Sequence, residues 1–402
     1  MLSNLKELYN EYTALLRAFV HGELPETAFG ADPDGLSALA RINSTEGILS
    51  YVLMKEPDLA ASERRQYLRK QCLGEISFYS RRAEQMKLLS DALSREGIDH
   101  LLFKGFVLRD YYPVPELRTF GDIDFLIRPS DREACHKLMC GLGYEVKCDF
   151  EPVYSYLKGT EYYEIHTDVM EVDVSDKADY RGYFNSVWDH AVPSSSICNE
   201  HVFELEADFH FIYLLTHIAK HISSSGAGIR MYLDLAFFLK HFDGKLNIEY
   251  IAAELERLSL SDFARTVLSA VEKWFGVKSP LPPKETSAEL MDDFLCFTME
   301  GGVYGKVGRD KNAVFLKQQN RNSEEISKWK TLVFHVFPPV SSLENRYTYL
   351  KKHRWLLPVA WVHRIAGNPS SWKRYAGHAK GIVNADEEEA RRLKRIYKEL
   401  GL

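Results

Sequence analysis

The stretch LRTFGDIDFLIR, residues 117–128, decides how the chain is read. It places Asp122 and Asp124 in an otherwise apolar run, with Ile123 between them and Phe125, Leu126 and Ile127 behind. Residues two apart on a strand point to the same face. The spacing therefore predicts two carboxylates side by side while Ile123 and Phe125 face the core. Like charges that close repel, and burial strengthens the repulsion. Either the pair sits in water at a strand end, or something positive offsets it. A divalent ion that prefers oxygen ligands, Mg²⁺ or Mn²⁺, does so directly.

Upstream, the apolar run HLLFKG (100–105) reads as a buried strand closed by glycine, and FVLRDYY as one or two helical turns ended by Pro113 and Pro115. Backbone N–H groups at such a strand-to-helix turn can face an anion. Gly105 leaves room for a phosphate and Lys104 adds a positive charge, although Lys-Gly turns are common without either role. Downstream, YYEIHTDV (162–169) is a further strand candidate that puts Glu164, His166 and Asp168 on one face. If it lies beside the Asp-Ile-Asp strand, Glu164 supplies a third carboxylate. Three carboxylates on neighbouring strands can hold two divalent ions, the arrangement that serves in-line displacement at phosphorus.

Around this centre the periodicity changes twice. RRAEQMKLLSDALSREGIDH (81–100) repeats Met86, Leu88, Leu89 and Leu93 at helical spacing and stops at Gly97. SDREACHKLMCGLGY (130–144) reads as a helix capped at Ser130 or Asp131, followed by the strand YEVK. Residues 1–80 are helical with a break at GADPDG (30–35), and helical spacing returns from about 202 in FELEADFHFIYLLTHIAKHI. The expected fold is α+β: a small mixed sheet in a core at 81–195, an N-terminal helical region at 1–80 and a C-terminal helical domain at 196–402. NADEEEARRLKRIYKELGL (384–402) reads as a solvated tail helix, and NRNSEEISKWK (320–330) as a solvated polar stretch.

The 402 residues carry 51 basic and 57 acidic side chains, a net charge of −6, which argues against general affinity for long nucleic acids or anionic membranes. A local basic pocket stays open. WLLPVAWV (355–362) is too short to span a bilayer and contains Pro358, so it reads as a buried helix start. The N-terminal stretch is amphipathic and lacks the parts of a signal peptide. Six cysteines without a Cys-x-x-Cys pair read as reduced core thiols of a cytoplasmic protein.

In the helical half, HIAKH puts His217 and His221 on one helical face with Lys220 beside them. The spacing suits zinc, but Ile218 stands where a metalloprotease motif has glutamate. Zinc binding, core packing and lining of a nucleotide or acceptor pocket all remain open for the pair. Arg230 and Asp234 read either as part of that pocket or as a buried salt bridge. SSSGAGIR (223–230) lacks the P-loop pattern, and His136 and His190 read as structural.

These residues resemble the nucleotidyltransferase fold of the DNA polymerase β-like superfamily and, more closely, the family of uncharacterised nucleotidyltransferases. The resemblance is carried by LLFKGFVLRDYYP, Arg118 to Ile127, GLGYE, YEIH, VWDHAVP (187–193), HIAKH, GAGIRMYLDLAFFL (226–239) and FPPVSSLENRYTYLKKHRWLLPVAWVHRI, from about residue 40 to 365. It implies Asp122 and Asp124 as the metal-binding pair, Glu164 as the third acid, and Lys104 and Gly105 as the turn on the nucleotide phosphates. Arg118, His217, Lys220, His221 and Arg230 are expected at the nucleotide. The superfamily's turn usually reads Gly-Ser; here Phe106 follows Gly105 and Asp122 comes later, which leaves Lys104 or Arg118 to replace the hydroxyl. The expectation is a cytoplasmic, bacterial, Mg²⁺- or Mn²⁺-dependent enzyme that transfers a nucleoside monophosphate from an NTP such as ATP, releasing pyrophosphate. Its acceptor would be a small molecule, a protein or a short RNA, with no long nucleic acid and no membrane involved. Two rivals stand beside it: an inactive nucleotide-binding module acting through a partner, and a metal hydrolase built on His166, His217 and His221.

Overall fold

A computed structural model of the chain describes residues 2–24, 32–56, 63–170, 174–224, 226–303, 329, 333–334, 336–344, 346–366 and 395–402. Its centre is one mixed sheet. The strands are β1 (His100–Leu102), β2 (Ile123–Ile127), β3 (Glu145–Phe150), β4 (Val153–Lys158), β5 (Glu161–His166), β6 (Ala191–Pro193) and β7 (Val202–Leu205). They lie in the order β3-β4-β5-β2-β1-β7-β6. β2 runs parallel to β5, and β1 parallel to β7; the other neighbours are antiparallel.

Every residue of β1 and β2 is buried, because their continuous apolar runs are covered on both faces. One face (Leu102, Ile123, Phe125, Ile127, Tyr163, Ile165) packs against two helices, α4 and α6 below. The other (Leu101, Phe103, Leu126) meets the main helical core. The helices described up to residue 303 are α1 (Leu2–His21), α2 (Pro33–Asn43), α3 (Glu46–Leu53), α4 (Glu63–Arg95), α5 (Gly105–Leu108), α6 (Arg132–Gly141), α7 (Tyr180–Phe184), α8 (Ala207–Ser224), α9 (Ile229–His241), α10 (Ile248–Arg257), α11 (Ser261–Phe275) and α12 (Ala288–Gly301). N-terminal and C-terminal helices share a single core: Phe19 of α1 meets Phe237 of α9 edge-on at 5.7 Å, and Trp274 of α11 meets Tyr232 at 5.1 Å. α2 begins where its sequence says it should, with Asp32 accepting from the Gly35 N–H and Pro33 in the first turn. α4 stops before Gly97, whose φ of +68° suits glycine.

The structure departs from the sequence reading in several places. VYSYLK forms its own strand, β4, joined to β5 by the tight Gly159–Thr160 turn, with φ of +60° at Gly159. Tyr154 and Tyr156 share the face that joins the smaller core, while Ser155 between them is buried on the other face. VFEL, read as helical, is β7, which pairs in register with β1 beyond residue 195; the helix starts only at Ala207. Leu88 points outward, 60% exposed, because the buried stripe of α4 runs through Met86, Leu89 and Leu93 instead. Asp168 lies past the end of β5, so it is not on the strand face that Glu164 and His166 share; it accepts from the Met170 N–H and lies 3.6 Å from Arg181 Nη2.

WLLPVAWV is not a buried helix start. A helix at Leu357–Ala366 packs by Ala360 against Leu343, Tyr347 and Leu350, while Trp355, Val359 and Val362 are exposed. Nor is the tail wholly solvated: Ile396, Tyr397 and Leu400 are buried in the main core, whereas 384–394 lie outside the described residues. Of 320–330 only Trp329 is described, and it is exposed. Cys72 and Cys135 are buried thiols, but Cys140 and Cys198 are exposed. No helix among the described residues is long and apolar enough to cross a membrane.

Candidate active site

β2 and β5 are parallel neighbours, and their register sets Asp124 directly beside Glu164. Side chains at paired positions point to one face, so both carboxylates emerge on the side of α8 and α9. His166, two residues beyond Glu164, shares that face and is 1% exposed. Its Nε2 lies 2.8 Å from Asp124 Oδ1, and the same oxygen accepts from Lys104 Nζ at 2.7 Å. Phe103 fixes the His166 ring edge-on at 5.5 Å.

The two aspartates are driven apart electrostatically. Burial works against a charged Asp124, but the Lys104 ammonium and the His166 contact outweigh it and hold the carboxyl well below the usual carboxylate range. Asp122 lies one residue ahead of β2 and has no such partner set. Burial first, and the charge of Asp124 second, push its pKa up, with Lys104 opposing.

A cavity of about 260 Å³ opens over these groups. Lys104, Gly105, Arg118, Asp122, Asp124 and Glu164 form one side of its lining, and His217, Lys220, His221 and Arg230 the other. All ten positions singled out in the sequence thus come together at one cavity. Their local roles differ from what spacing alone suggested. Arg118 grips Asp234 with two bonds, Nε to Oδ1 at 3.0 Å and Nη2 to Oδ2 at 2.6 Å, and Tyr112 Oη donates to Oδ1 at 2.8 Å. Asp234 thus forms its buried salt bridge with Arg118, on the segment before β2. Burial disfavours the Arg118 charge, yet Asp234 outweighs burial and binds its proton more tightly. The space that a Cβ on Gly105 would occupy is filled by the Arg118 guanidinium. Arg230 Nη1 donates to the Thr119 carbonyl at 2.8 Å and to Thr119 Oγ1 at 2.7 Å.

His217 and His221 face each other with their Nε2 atoms 3.1 Å apart, and Tyr213 stacks on His217 at 5.5 Å. Burial, followed by the neighbouring His221, lowers the proton affinity of His217 well below that of a free imidazole. This pair lines the cavity and, among the described residues, joins no three-ligand cluster. Among the described residues the group placed to hold a metal ion is Asp124, Glu164 and His166, whose ligand atoms lie within 4.8 Å of one another. Two carboxylates in that set suit Mg²⁺ or Mn²⁺. The set differs from the expected trio in holding His166 where Asp122 was expected, because Asp122 precedes the strand pairing. The alternation Glu-Ile-His carried the signal for His166. Nothing local signalled Asp234 and Tyr112 as the anchors of Arg118.

The profile of the family described as "Uncharacterised nucleotidyltransferase" matches residues 30–276. The chain belongs to that family. The match contains the whole sheet and every candidate residue of the cavity. No curated protein matches the chain significantly. Among solved structures, the solution structure of the antibiotic-resistance factor ANT(2'')-Ia aligns with 44% of this chain and 91% of its own at 11% identity, with a TM-score of 0.32. A likeness that distant says nothing about substrate.

Proposed function

We propose that the cavity binds an NTP with a divalent ion and transfers its nucleoside monophosphate to an acceptor hydroxyl or phosphate. The observation that carries this reading is the in-register Asp124–Glu164 pair, with Lys104 beside it, in a cavity that Lys220 and Arg230 of α8 and α9 also line. Asp124 and Glu164, with Asp122 at the strand's entrance, would hold Mg²⁺ or Mn²⁺. Such an ion supplies charge neutralisation on the phosphates and a lowered pKa for the attacking group.

The chain's own groups do the rest. Lys104, Lys220 and Arg230 draw the triphosphate in; Arg118, locked by Asp234, shapes the turn at Gly105. The acceptor oxygen forms a bond to the α-phosphorus as the bond from that phosphorus to the bridging oxygen breaks. Pyrophosphate leaves with that electron pair, and Glu164 takes the acceptor's proton. Positioning and charge compensation supply the rate, with no covalent enzyme intermediate.

Calorimetric titration of each of the four NTPs with Mg²⁺ tests this on the wild-type chain and on Asp122→Ala/Asp124→Ala. Metal-dependent binding of at least one NTP, abolished in the double variant, is expected. Binding that survives the double variant, or no binding by the wild type, would sink the reading.

A further inference from the structure

Arg82, on α4, is outside the cavity lining. Its side chain is 4% exposed, with Nη1 donating to the Phe120 carbonyl at 2.6 Å and Nη2 to the Gly121 carbonyl at 3.0 Å. The guanidinium fork therefore bridges the two successive carbonyls that lead directly into Asp122. The Phe120 ring lies 4.7 Å from it and Phe78 5.8 Å.

No carboxylate pairs with Arg82 among the described residues. Burial lowers its proton affinity and outweighs Asp122 and Glu161, which act on it only through space; a buried guanidinium with no direct ion pair is a poor device for stability, since little of its desolvation is regained. What the fork does, and an apolar side chain cannot, is fix the orientation of two neighbouring peptide planes.

The segment needs such fixing. Residues 118–121 belong to no helix or strand. Elsewhere along it, Arg118 and Arg230 both donate to the Thr119 carbonyl, at 3.0 and 2.8 Å, and Thr119 Oγ1 donates to the Ser44 carbonyl at 2.7 Å. Thr119 is thus anchored by α9 and the end of α2, while the last two carbonyls before the aspartate are held by Arg82 alone among these arginines.

We propose that Arg82 is a positioning residue: by clamping the Phe120 and Gly121 carbonyls it sets where the Asp122 carboxylate stands in the cavity. This rests on reading Asp122 as a metal-binding group. Arg82 touches neither ion nor nucleotide and acts through Asp122.

The test is Mn²⁺ binding followed by the EPR signal of free Mn²⁺, with the full chain as wild type, Arg82→Lys and Arg82→Ala, each checked for fold by circular dichroism. Removing a group that orients a metal ligand weakens affinity about 10–100-fold, and that loss is expected for Arg82→Ala. Arg82→Lys keeps the charge but replaces the planar fork, whose two nitrogens each hold one carbonyl, by a single freely rotating ammonium, and is expected to lose part of the affinity as well. Guanidinium ion added at low concentration should restore Arg82→Ala toward wild type, a rescue that a general packing defect would not show. Folded variants that bind Mn²⁺ as tightly as wild type would overturn the clamp, as would a loss of affinity that guanidinium leaves untouched. Should Arg82→Ala fail to fold, the affinity of Arg82→Lys decides. A wild type that binds no Mn²⁺ would instead bring down the metal reading itself, and the clamp's role with it.

Discussion

Asp234→Ala removes one partner from an ion pair that is nearly closed to water, the side chains of Arg118 and Asp234 being 10% and 6% exposed. Asp234 accepts three bonds, two from Arg118 and one from Tyr112. The substitution leaves a buried guanidinium whose remaining acceptor is the Thr119 carbonyl, and a Tyr112 hydroxyl without its acceptor. Breaking a buried pair from one side costs about 3–5 kcal/mol, and an orphaned buried hydroxyl about 1–3 kcal/mol. The two losses share one site and do not add, so the expected destabilisation is about 4 kcal/mol. Domains have net stabilities of only about 5–15 kcal/mol, so this is a large fraction. Urea unfolding followed by tryptophan fluorescence measures it. Because desolvating two ions costs nearly what their attraction returns, Arg118→Met/Asp234→Leu is expected to recover to within about 2 kcal/mol of wild type. A loss under about 1 kcal/mol for Asp234→Ala would mean that no buried cation depends on the carboxylate. A double variant as unstable as the single would place the loss in packing and refute the charge argument.

Gly105→Ala drives a Cβ into the Arg118 guanidinium, which Asp234 holds in place; a loss of about 1–3 kcal/mol and weaker NTP binding by calorimetry are expected, and an unchanged melting temperature would show that Arg118 yields. Glu75, on α4, has its pKa pushed up by burial, and then by Glu46, from 4.5 to about 7. The folded chain therefore binds more protons than the unfolded one between those values, and this group's stabilising contribution falls as pH rises through that window. Glu75→Gln should narrow the difference in melting temperature between about pH 5 and about pH 8; an unchanged difference would remove Glu75 as its source.

How much could be read beforehand depended on range. β2 was legible because its apolar run is bounded by Gly121 and Pro129, and the stripe of α4 because Met86, Leu89 and Leu93 repeat at three and four residues. The cavity's composition was legible because the acids, the Lys-Gly turn and the His pair each sit on short periodic stretches. Pairing across the chain was not. Arg118 and Asp234 are 116 residues apart, and nothing local distinguishes Arg118 from Arg230 as the partner. β7 was hidden for a related reason: Val202 to Leu205 is brief, and its strand state is decided by β1, a hundred residues earlier in the chain. The exposed face of the helix at Leu357–Ala366 reversed expectation because apolar content does not say which neighbour is present to cover it.

Two negative charges at the start of a buried strand are tolerable because the chain brings its own cation to one of them and leaves the other at the strand's entrance. Lys104 arrives from the end of β1 and His166 from the end of β5, on opposite sides of β2. Both reach the same oxygen of Asp124, so that carboxylate stays ionised although it is buried. Its settled charge then falls on Asp122, which has no equivalent partners and whose pKa rises. Sequence spacing treats the two positions as equivalent; the flanking strands make them unequal. One is a fixed anion, and the other is a carboxylate that burial and its charged neighbour make harder to ionise. Positive charge added to the cavity would therefore act more on Asp122 than on Asp124, whose charge Lys104 and His166 already compensate. For the same reason the loop that carries Asp122, clamped by arginines rather than by a sheet, is where the geometry of this site is most open to perturbation.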